Sequence, residues 1–232
     1  MIIKLSYEKS NEIGVFMKLT NSFCIVPYDI SDKCYKTLKE NLNSFVPIVR
    51  TYICNSRCIG RLIIGNKNGL LLPYETSNVE LNTIKNSIPD NILVKRCNEN
   101  LSALGNCIVN NDNSAIVYPD VSNQTEELIS DTLGVEVFKL SLGEEKLVGS
   151  YCIFNNNGGI IHPSITIEEQ DEISSLLQIP LFIGTVNCGE NRVSSGIISN
   201  DNISLCGMKT TQSELFVIET ALKKKKTSEK NY

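Results

Sequence analysis

The feature that most constrains the fold of this 232-residue chain is a repeat of about 45 residues. Five glycines recur at separations of 46, 45, 44 and 47 residues, namely Gly14, Gly60, Gly105, Gly149 and Gly196. Each glycine precedes a short apolar run and then a polar turn that contains asparagine. Because Asn and Gly tolerate positive φ in tight turns, each unit is predicted to begin with a strand, a hairpin turn and a second strand. Such a period is typical of propellers and solenoids, whose repeats bury their apolar faces against one another.

A helix is predicted after the hairpin in every repeat, because capping residues mark its start. Three repeats have the capping-box pattern of Ser or Thr followed three residues later by Glu: Ser77 with Glu80, Thr166 with Glu169, and Thr211 with Glu214. Ser31 and Ser122 are the predicted caps of the other two helices. Apolar residues at helical spacing follow, and then a segment rich in Val, Ile and Phe that indicates a further strand.

The fifth repeat lacks this last strand, and the beginning of the chain supplies a candidate for it. Ile2 precedes its glycine by 12 residues, as Ile48 precedes its own, so residues 2–7 occupy the missing register. We therefore predict an α/β fold in which five repeats form a ring, closed by the N-terminal strand pairing with the last repeat. Closure covers both end strands, whereas an open array would leave them exposed and uncapped.

This ring predicts a single domain over residues 1–222, followed by a lysine-rich, flexible tail over residues 223–232. The net charge of −4 disfavours a protein whose affinity depends mainly on neutralising phosphates, so contacts with RNA are expected to be local. The first residues lack the features of a secretory leader, and no apolar run approaches the roughly 20 residues that span a bilayer. We expect a protein of the cytosol or nucleus, with its nine cysteines reduced.

The residues that carry chemistry leave an enzymatic alternative open. Cys54 and Cys58 are close in sequence, but the chain has one histidine and no second pair with the spacing of a zinc site, so no metal and no cofactor are predicted. His162 and Cys206 end equivalent strands of the fourth and fifth repeats, where a ring could bring them together for nucleophilic catalysis. No carboxylate follows His162 to orient its ring, and a structural role for it is the simpler interpretation.

A second candidate site follows from the symmetry. The residues after the five glycines should share one face of the ring: Val15, Arg61, Asn106, Ser150 and Ile197. Together with Tyr151 and Lys67 they would place polar, aromatic and cationic groups near one another, which suits contact with protein or RNA. The alternative is that they are ordinary solvated strand ends.

Several ordered blocks resemble eukaryotic translation initiation factor 6. They are Glu12-Ile13-Gly14, Lys18-Leu19-Thr20-Asn21, Leu101 to Asn106, Val148 to Cys152, Gly158 to Pro163 and Asp171 to Gln178. The resemblance extends from the first residues to about Leu222. It implies the pentein fold, a pseudo-fivefold α/β propeller, which agrees with the ring inferred from the repeats.

The resemblance also implies a function. Members of the family are ribosome anti-association factors, without enzymatic activity or cofactor, that bind the intersubunit face of the large (60S) ribosomal subunit and block joining of the small subunit. The implied partners are a ribosomal protein of the uL14 type, the sarcin-ricin loop of the large rRNA, and a GTPase that evicts the factor together with its own cofactor. The implied roles are large-subunit biogenesis and translation initiation, in cytoplasm, nucleus and nucleolus, with no membrane association and as a monomer.

Residue by residue, the resemblance assigns the ribosome-facing surface to positions matching Gly14, Arg61, Asn106 and Tyr151. Lys67 and Ser150 complete the predicted ribosome-binding set, on the grounds of the symmetry above. Ser174 and Ser175 match a serine pair regarded as a kinase target in the family, and an ordinary solvated helix face is the alternative for them. The related pentein enzymes that modify guanidino groups supply the competing hypothesis, a hydrolase that uses Cys206 and His162.

Overall fold

A computed structural model of the chain describes residues 1–42 and 46–223. The strands of these residues are β1 (Ile2–Leu5), β2 (Lys18–Leu19), β3 (Cys24–Pro27), β4 (Ile48–Thr51), β5 (Ile64–Gly65), β6 (Gly69–Pro73), β7 (Leu93–Cys97), β8 (Ile108–Asn110), β9 (Ser114–Val117), β10 (Glu136–Lys139), β11 (Cys152–Phe154), β12 (Gly159–Ile161), β13 (Leu181–Ile183), β14 (Ile197–Ser199) and β15 (Ser204–Gly207). The helices are α1 (Ile13–Phe16), α2 (Asp32–Leu42), α3 (Ile59–Leu62), α4 (Asn78–Lys85), α5 (Leu104–Cys107), α6 (Asn123–Leu133), α7 (Val148–Tyr151), α8 (Ile167–Leu177), α9 (Val193–Gly196) and α10 (Gln212–Leu222).

The strands form five three-stranded sheets, one for each predicted repeat. In each sheet the two hairpin strands pair antiparallel, and the strand that follows the long helix pairs parallel to the second of them; β11, β12 and β13 show this arrangement. The fifth sheet takes its third strand from the other end of the chain. β1 runs parallel to β15, with Ile2 opposite Ser204 and Leu5 opposite Gly207, so the predicted closure by the N-terminal strand is confirmed.

The long helices begin where the capping residues predict. The side chains of Ser77, Thr166 and Thr211 each accept a hydrogen bond from the backbone of the glutamate three residues on, and all three capping boxes are complete. Ser122 caps α6 in the same way. Such a cap is worth about 1 kcal/mol because it satisfies an N–H group that the helix leaves free.

The apolar faces of the long helices cover the sheets and form five buried clusters. In α2 the buried side chains are Cys34, Leu38 and Leu42, which is the predicted stripe. Each cluster also includes residues from the neighbouring repeat; the cluster around α10, for example, contains Ile160 of the fourth sheet and Ile218 of the helix itself. The repeats therefore stabilise one another. Within the described residues, no helix combines the length and apolar character that crossing a membrane requires.

Candidate functional site

One end of the pseudo-fivefold axis is formed by five one-turn helices, α1, α3, α5, α7 and α9, which we call the short-helix ring. Each of them contacts two others, and α9 contacts α1, so the ring is closed. In the first four helices the second residue is glycine. A Cβ atom on Gly60 would overlap the carbonyl oxygen of Gly14, and one on Gly105 would overlap that of Gly60. Glycine is needed here because it allows the backbones of adjacent helices to approach.

The prediction that Gly196 is the fifth anchor is wrong by two residues. The second residue of α9 is Ser194, which lies 45 residues after Gly149, whereas Gly196 is the last residue of the helix. The hydroxyl of Ser194 donates to the carbonyl oxygens of Gly149 and Ser150, and so joins the ring by a hydrogen bond. It follows that the fifth residue equivalent to Arg61 and Asn106 is Ser195, and not Ile197 as predicted.

Arg61 lies at the centre of the short-helix ring. Its guanidinium donates to the carbonyl oxygens of Ser194 at 2.8 Å, Gly14 at 3.2 Å and Gly149 at 3.3 Å, and to the hydroxyl of Ser194 at 2.9 Å. Burial is the main cause that lowers the pKa of this side chain to about 10, a value at which it is still charged at neutral pH. The side chain therefore points into the ring and connects three of its helices.

The other predicted residues of this end lie beside Arg61. Gly14 and Ser150 are buried, and the hydroxyl of Ser150 donates to the side-chain oxygen of Asn106 at 3.3 Å. Asn106 and Tyr151 are half-buried and reach the surface. The centroids of the Tyr151 and His162 rings are 5.2 Å apart in an edge-to-face arrangement. Burial together with the carboxylate of Glu145 raises the pKa of the phenol.

Loops surround the short-helix ring, at residues 6–12, 52–58, 98–103, 141–147 and 185–192, and together with the ring they form what we call the short-helix face. Two of these loops expose leucines that no sequence pattern singles out, Leu101 and Leu147, each with 42% of its surface exposed. The loops contain six glutamates, of which Glu99 is buried, against four lysines and arginines, so the charges of the face nearly balance. A surface without an excess of positive charge, with apolar, aromatic and amide groups, favours contact with protein over contact with phosphates.

Lys67 is not on this face. It lies in the β5–β6 hairpin turn, at the opposite end of the strands from α3, and its side chain is exposed there. The prediction that Lys67 and Tyr151 lie near one another is therefore wrong. The physical reason is that strand β5 leads away from the short-helix ring. Arg61 in that ring and Lys67, six residues later, therefore lie at opposite ends of the axis.

The hairpin turns form a second ring, the turn ring, made of residues 20–22, 66–68, 111–113, 155–157 and 200–202. The first Asn of a turn donates its amide to the next repeat: Asn66 to Asn111, Asn111 to Asn155, and Asn155 to Asn200. At the second position, Asn21 and Asn156 each donate to both Asp112 and Asp201. The sequence shows these asparagines as turn formers, but their bonds between repeats appear only once the ring is closed.

A family model described as the eIF-6 family matches residues 2–221. Eukaryotic translation initiation factor 6 of Tetrahymena thermophila is 44% identical over 231 residues, covering 100% of this chain and 94% of that protein. The factor of the same name from Saccharomyces cerevisiae is 47% identical over 220 residues, covering 95% of this chain and 90% of that protein. The chain belongs to the eIF-6 family. Membership of this family supports a role as a translation initiation factor.

Among solved structures, this eIF-6 family member is similar to a dimethylarginine dimethylaminohydrolase in its adduct with S-methyl-L-thiocitrulline. The TM-score is 0.51, and the match covers 79% of this chain and 74% of that chain at 11% identity. At this identity the likeness shows the fold alone, and it confirms the predicted pentein-type fold.

The residues of the competing hydrolase hypothesis are not arranged for catalysis in this eIF-6 family member. Cys206 is fully buried among aliphatic side chains, and burial raises the pKa of its thiol despite the nearby Thr210 hydroxyl and Lys4. His162 is also buried. Its Nε2 lies 3.1 Å from the carbonyl oxygen of Leu142, and its Nδ1 accepts from the backbone N–H of Ser164. A nucleophilic cysteine needs a lowered pKa and an available base, so the hydrolase alternative is not favoured.

The remaining candidates lie on the outside of the ring or beyond the described residues. On α8, Ser175 is exposed, whereas Ser174 is half-buried and donates to the carbonyl oxygen of Ile179 at 2.6 Å. Of the predicted tail, only Lys223 lies within the described residues. Over residues 1–42 and 46–223, no three His, Cys, Asp or Glu side chains converge in a way that could hold a metal ion.

Proposed function

We propose that this eIF-6 family member binds the intersubunit face of the large (60S) ribosomal subunit and sterically prevents the small subunit from joining. The observation that carries the proposal is the family match over residues 2–221, together with relatives of nearly the same length that are named eukaryotic translation initiation factor 6. A closed ring of repeats with one face available for contact is physically suited to act as a steric block, because such a block needs surface and no chemistry.

The short-helix face is the surface we assign to the subunit. Asn106 and Tyr151 would make polar and aromatic contacts, and the exposed Leu101 and Leu147 would add apolar ones. Gly14, Ser150 and Arg61 would act from beneath, by holding the short helices in position. Lys67 would lie outside the contact, since it is at the opposite end of the axis.

The proposed partners on the subunit are a ribosomal protein of the uL14 type and the adjoining sarcin-ricin loop of the large rRNA. Release would require a GTPase and its cofactor protein. The factor would act as a monomer, in large-subunit biogenesis and in initiation, and would occur in nucleolus, nucleus and cytoplasm. The lack of an excess of lysines and arginines around the short-helix ring supports a contact that is mostly with protein.

Co-sedimentation with purified large subunits, with and without small subunits, tests this proposal. We expect the protein to sediment with large subunits and to reduce the amount of joined ribosomes. Leu147→Glu should weaken binding at least tenfold, because it places a charge in the proposed apolar part of the contact. The matched control is Leu93→Glu, since Leu93 is 51% exposed and lies beside the turn ring. Free protein at the top of the gradient, or binding that leaves subunit joining unchanged, would contradict the proposal.

A further inference from the structure

The axis of the molecule contains a cavity of about 70 Å³ that lies between the short-helix ring and the turn ring. Its walls are the first hairpin strands of the repeats. They combine aliphatic side chains, such as those of Val109, Ile153 and Ile198, with the asparagines of the turn ring. Two basic side chains also line it, Lys18 and Arg61. The proposed ribosome contact uses neither this cavity nor Lys18, so the cavity requires an explanation of its own.

Lys18 differs in residue type from the residues at the same position of the other repeats. It is the second residue after its short helix, and the equivalent residues in the other repeats are Ile64, Val109, Ile153 and Ile198. Four repeats therefore have an aliphatic side chain where the first has an ammonium group. Lys18 is half-buried, and a lysine withdrawn from bulk water into such a cavity is destabilising unless its charge is compensated.

Neither of these two basic groups is paired with a carboxylate. Among the described residues, no hydrogen bond or ion pair joins the Lys18 ammonium to an acceptor, and Arg61 bonds to neutral carbonyl and hydroxyl groups. The Nε of Arg61 is buried and has no hydrogen-bond partner. The one carboxylate in the lining, that of Asp112, belongs to the turn ring, where Asn21, Asn156 and the backbone of Lys67 donate to it.

Both groups are charged at neutral pH. Burial, followed by repulsion from Arg61, lowers the pKa of Lys18 to about 8, so most of the molecules still carry the proton at pH 7. Two positive charges therefore share a small cavity, and the carboxylate of Asp112 in its lining is bonded to the turn ring and not to them. An anion between them would offset the repulsion and accept hydrogen bonds from both.

We propose that the axial cavity binds one small inorganic anion, such as a halide or a tetrahedral oxyanion, between the Lys18 ammonium and the Arg61 guanidinium. Since a water molecule needs roughly 10–15 Å³ of such space, the cavity has room for about five waters, or for an anion with part of its hydration shell. A bulky organic anion does not fit. The anion would be a structural ligand of the ring, independent of any partner on the short-helix face.

Thermal unfolding of the full chain in different anions tests this proposal. At constant ionic strength, chloride and phosphate are each titrated in place of a bulky organic sulfonate. A bound anion should raise the melting temperature of the parent by about 3 °C or more for each tenfold increase above its dissociation constant. The comparison of chloride with phosphate distinguishes the two kinds of anion. A parent whose melting temperature is the same in all three anions would overturn the proposal.

The variant Lys18→Met keeps the length of the side chain and removes its charge. We expect it to lose at least half of the anion-dependent rise and to be no less stable than the parent in the sulfonate alone. The control is Lys85→Met, which removes an exposed lysine of α4 and should keep the full rise. An equal rise in both variants would place the anion on the outer surface, against the proposal.

A crystal of the parent protein grown in bromide provides a measurement that needs no variant. An anomalous peak within about 3.5 Å of the Lys18 ammonium would support the site. Anomalous peaks elsewhere, with only water in the axial cavity both in this crystal and in one grown in phosphate, would overturn it. Both outcomes are independent of whether the protein binds ribosomal subunits.

Discussion

The substitution Arg61→Met distinguishes a residue that holds the ring together from a residue that contacts the ribosome. The guanidinium donates four hydrogen bonds, to Gly14, Gly149 and twice to Ser194, and so connects α1, α7 and α9 to α3. Methionine has a similar length but no donor. The three carbonyl oxygens at the axis would then lose a charged donor in a place that bulk water reaches poorly.

The magnitude follows from two opposing effects. Four hydrogen bonds from a charged group, at about 1.5–2 kcal/mol each, stabilise the ring by about 6–8 kcal/mol. Against this, burial of the charge is unfavourable by about 3 kcal/mol, the free energy that corresponds to the lowered pKa of Arg61. The variant should therefore be less stable than the parent by about 3–5 kcal/mol. In a chain of this length that is a fall in melting temperature of about 6–20 °C.

Urea unfolding followed by circular dichroism measures this difference, and co-sedimentation with large subunits is measured in parallel, well below the melting temperature. The control is Arg57→Met, since Arg57 is an exposed arginine of the same face and its ion pair with Asp29 is at the surface. We expect the melting temperature of this variant to stay near that of the parent. If Arg61→Met unfolds at the parental urea concentration, the guanidinium does not hold the ring. If it also binds subunits more weakly at that unchanged stability, Arg61 is a direct contact.

Two further predictions concern the fifth repeat. Burial alone would raise the pKa of Glu214, but hydrogen bonds from Thr211, Gly189, Thr185 and Cys188 outweigh it and lower the pKa to about 2. Because this pKa is below the ordinary 4.5, the stabilisation is complete above about pH 4.5 and is lost as the pH falls towards 2. Glu214→Gln should therefore reduce the free energy of unfolding by up to about 3 kcal/mol at pH 7 and by little near pH 2. The control, Glu172→Gln at an exposed glutamate, should show no such pH dependence. A difference in unfolding free energy between Glu214→Gln and the parent that stays constant with pH would contradict this. At the seam, Leu5→Ala removes a side chain that is 5% exposed and should cost about 2–4 kcal/mol in urea unfolding, while Met1→Ala, at 59% exposed, should cost almost nothing. Equal stability of the Leu5→Ala protein and the parent would mean that β1 does not close the ring.

Most of the fold was predictable because the information lies within one repeat. The capping boxes at Ser77, Thr166 and Thr211 use contacts between residues three positions apart, and the helical stripes use residues three and four apart. The seam was predictable as well, since a strand without a partner at one end of the chain matched a missing strand at the other. These signals need no knowledge of the angle between repeats.

The errors at the axis have a different origin. The bridged loop before α9 runs from Val186 to Glu190, one residue more than the loop from Leu142 to Glu145 in the fourth repeat. Together with the glycine at position 196, this made Gly196 resemble the fifth anchor, although Ser194 takes that place. Lys67 lies away from its predicted place because strand β5 carries the chain from the short-helix ring to the turn ring within a few residues.

The sequence by itself determined the number of repeats, the elements of each repeat and the strand that closes the ring, because these follow from periodicity and local hydrogen bonding. Only the tertiary structure decided what lies on the axis. There, residues about 45 positions apart meet across five repeats, and a side chain such as Arg61 or Lys18 takes its surroundings from all of them. Distances between repeats decide which way Arg61 points, whether Asn111 bonds to the next turn, and whether Lys18 has a counter-charge. No pattern within one repeat encodes those distances.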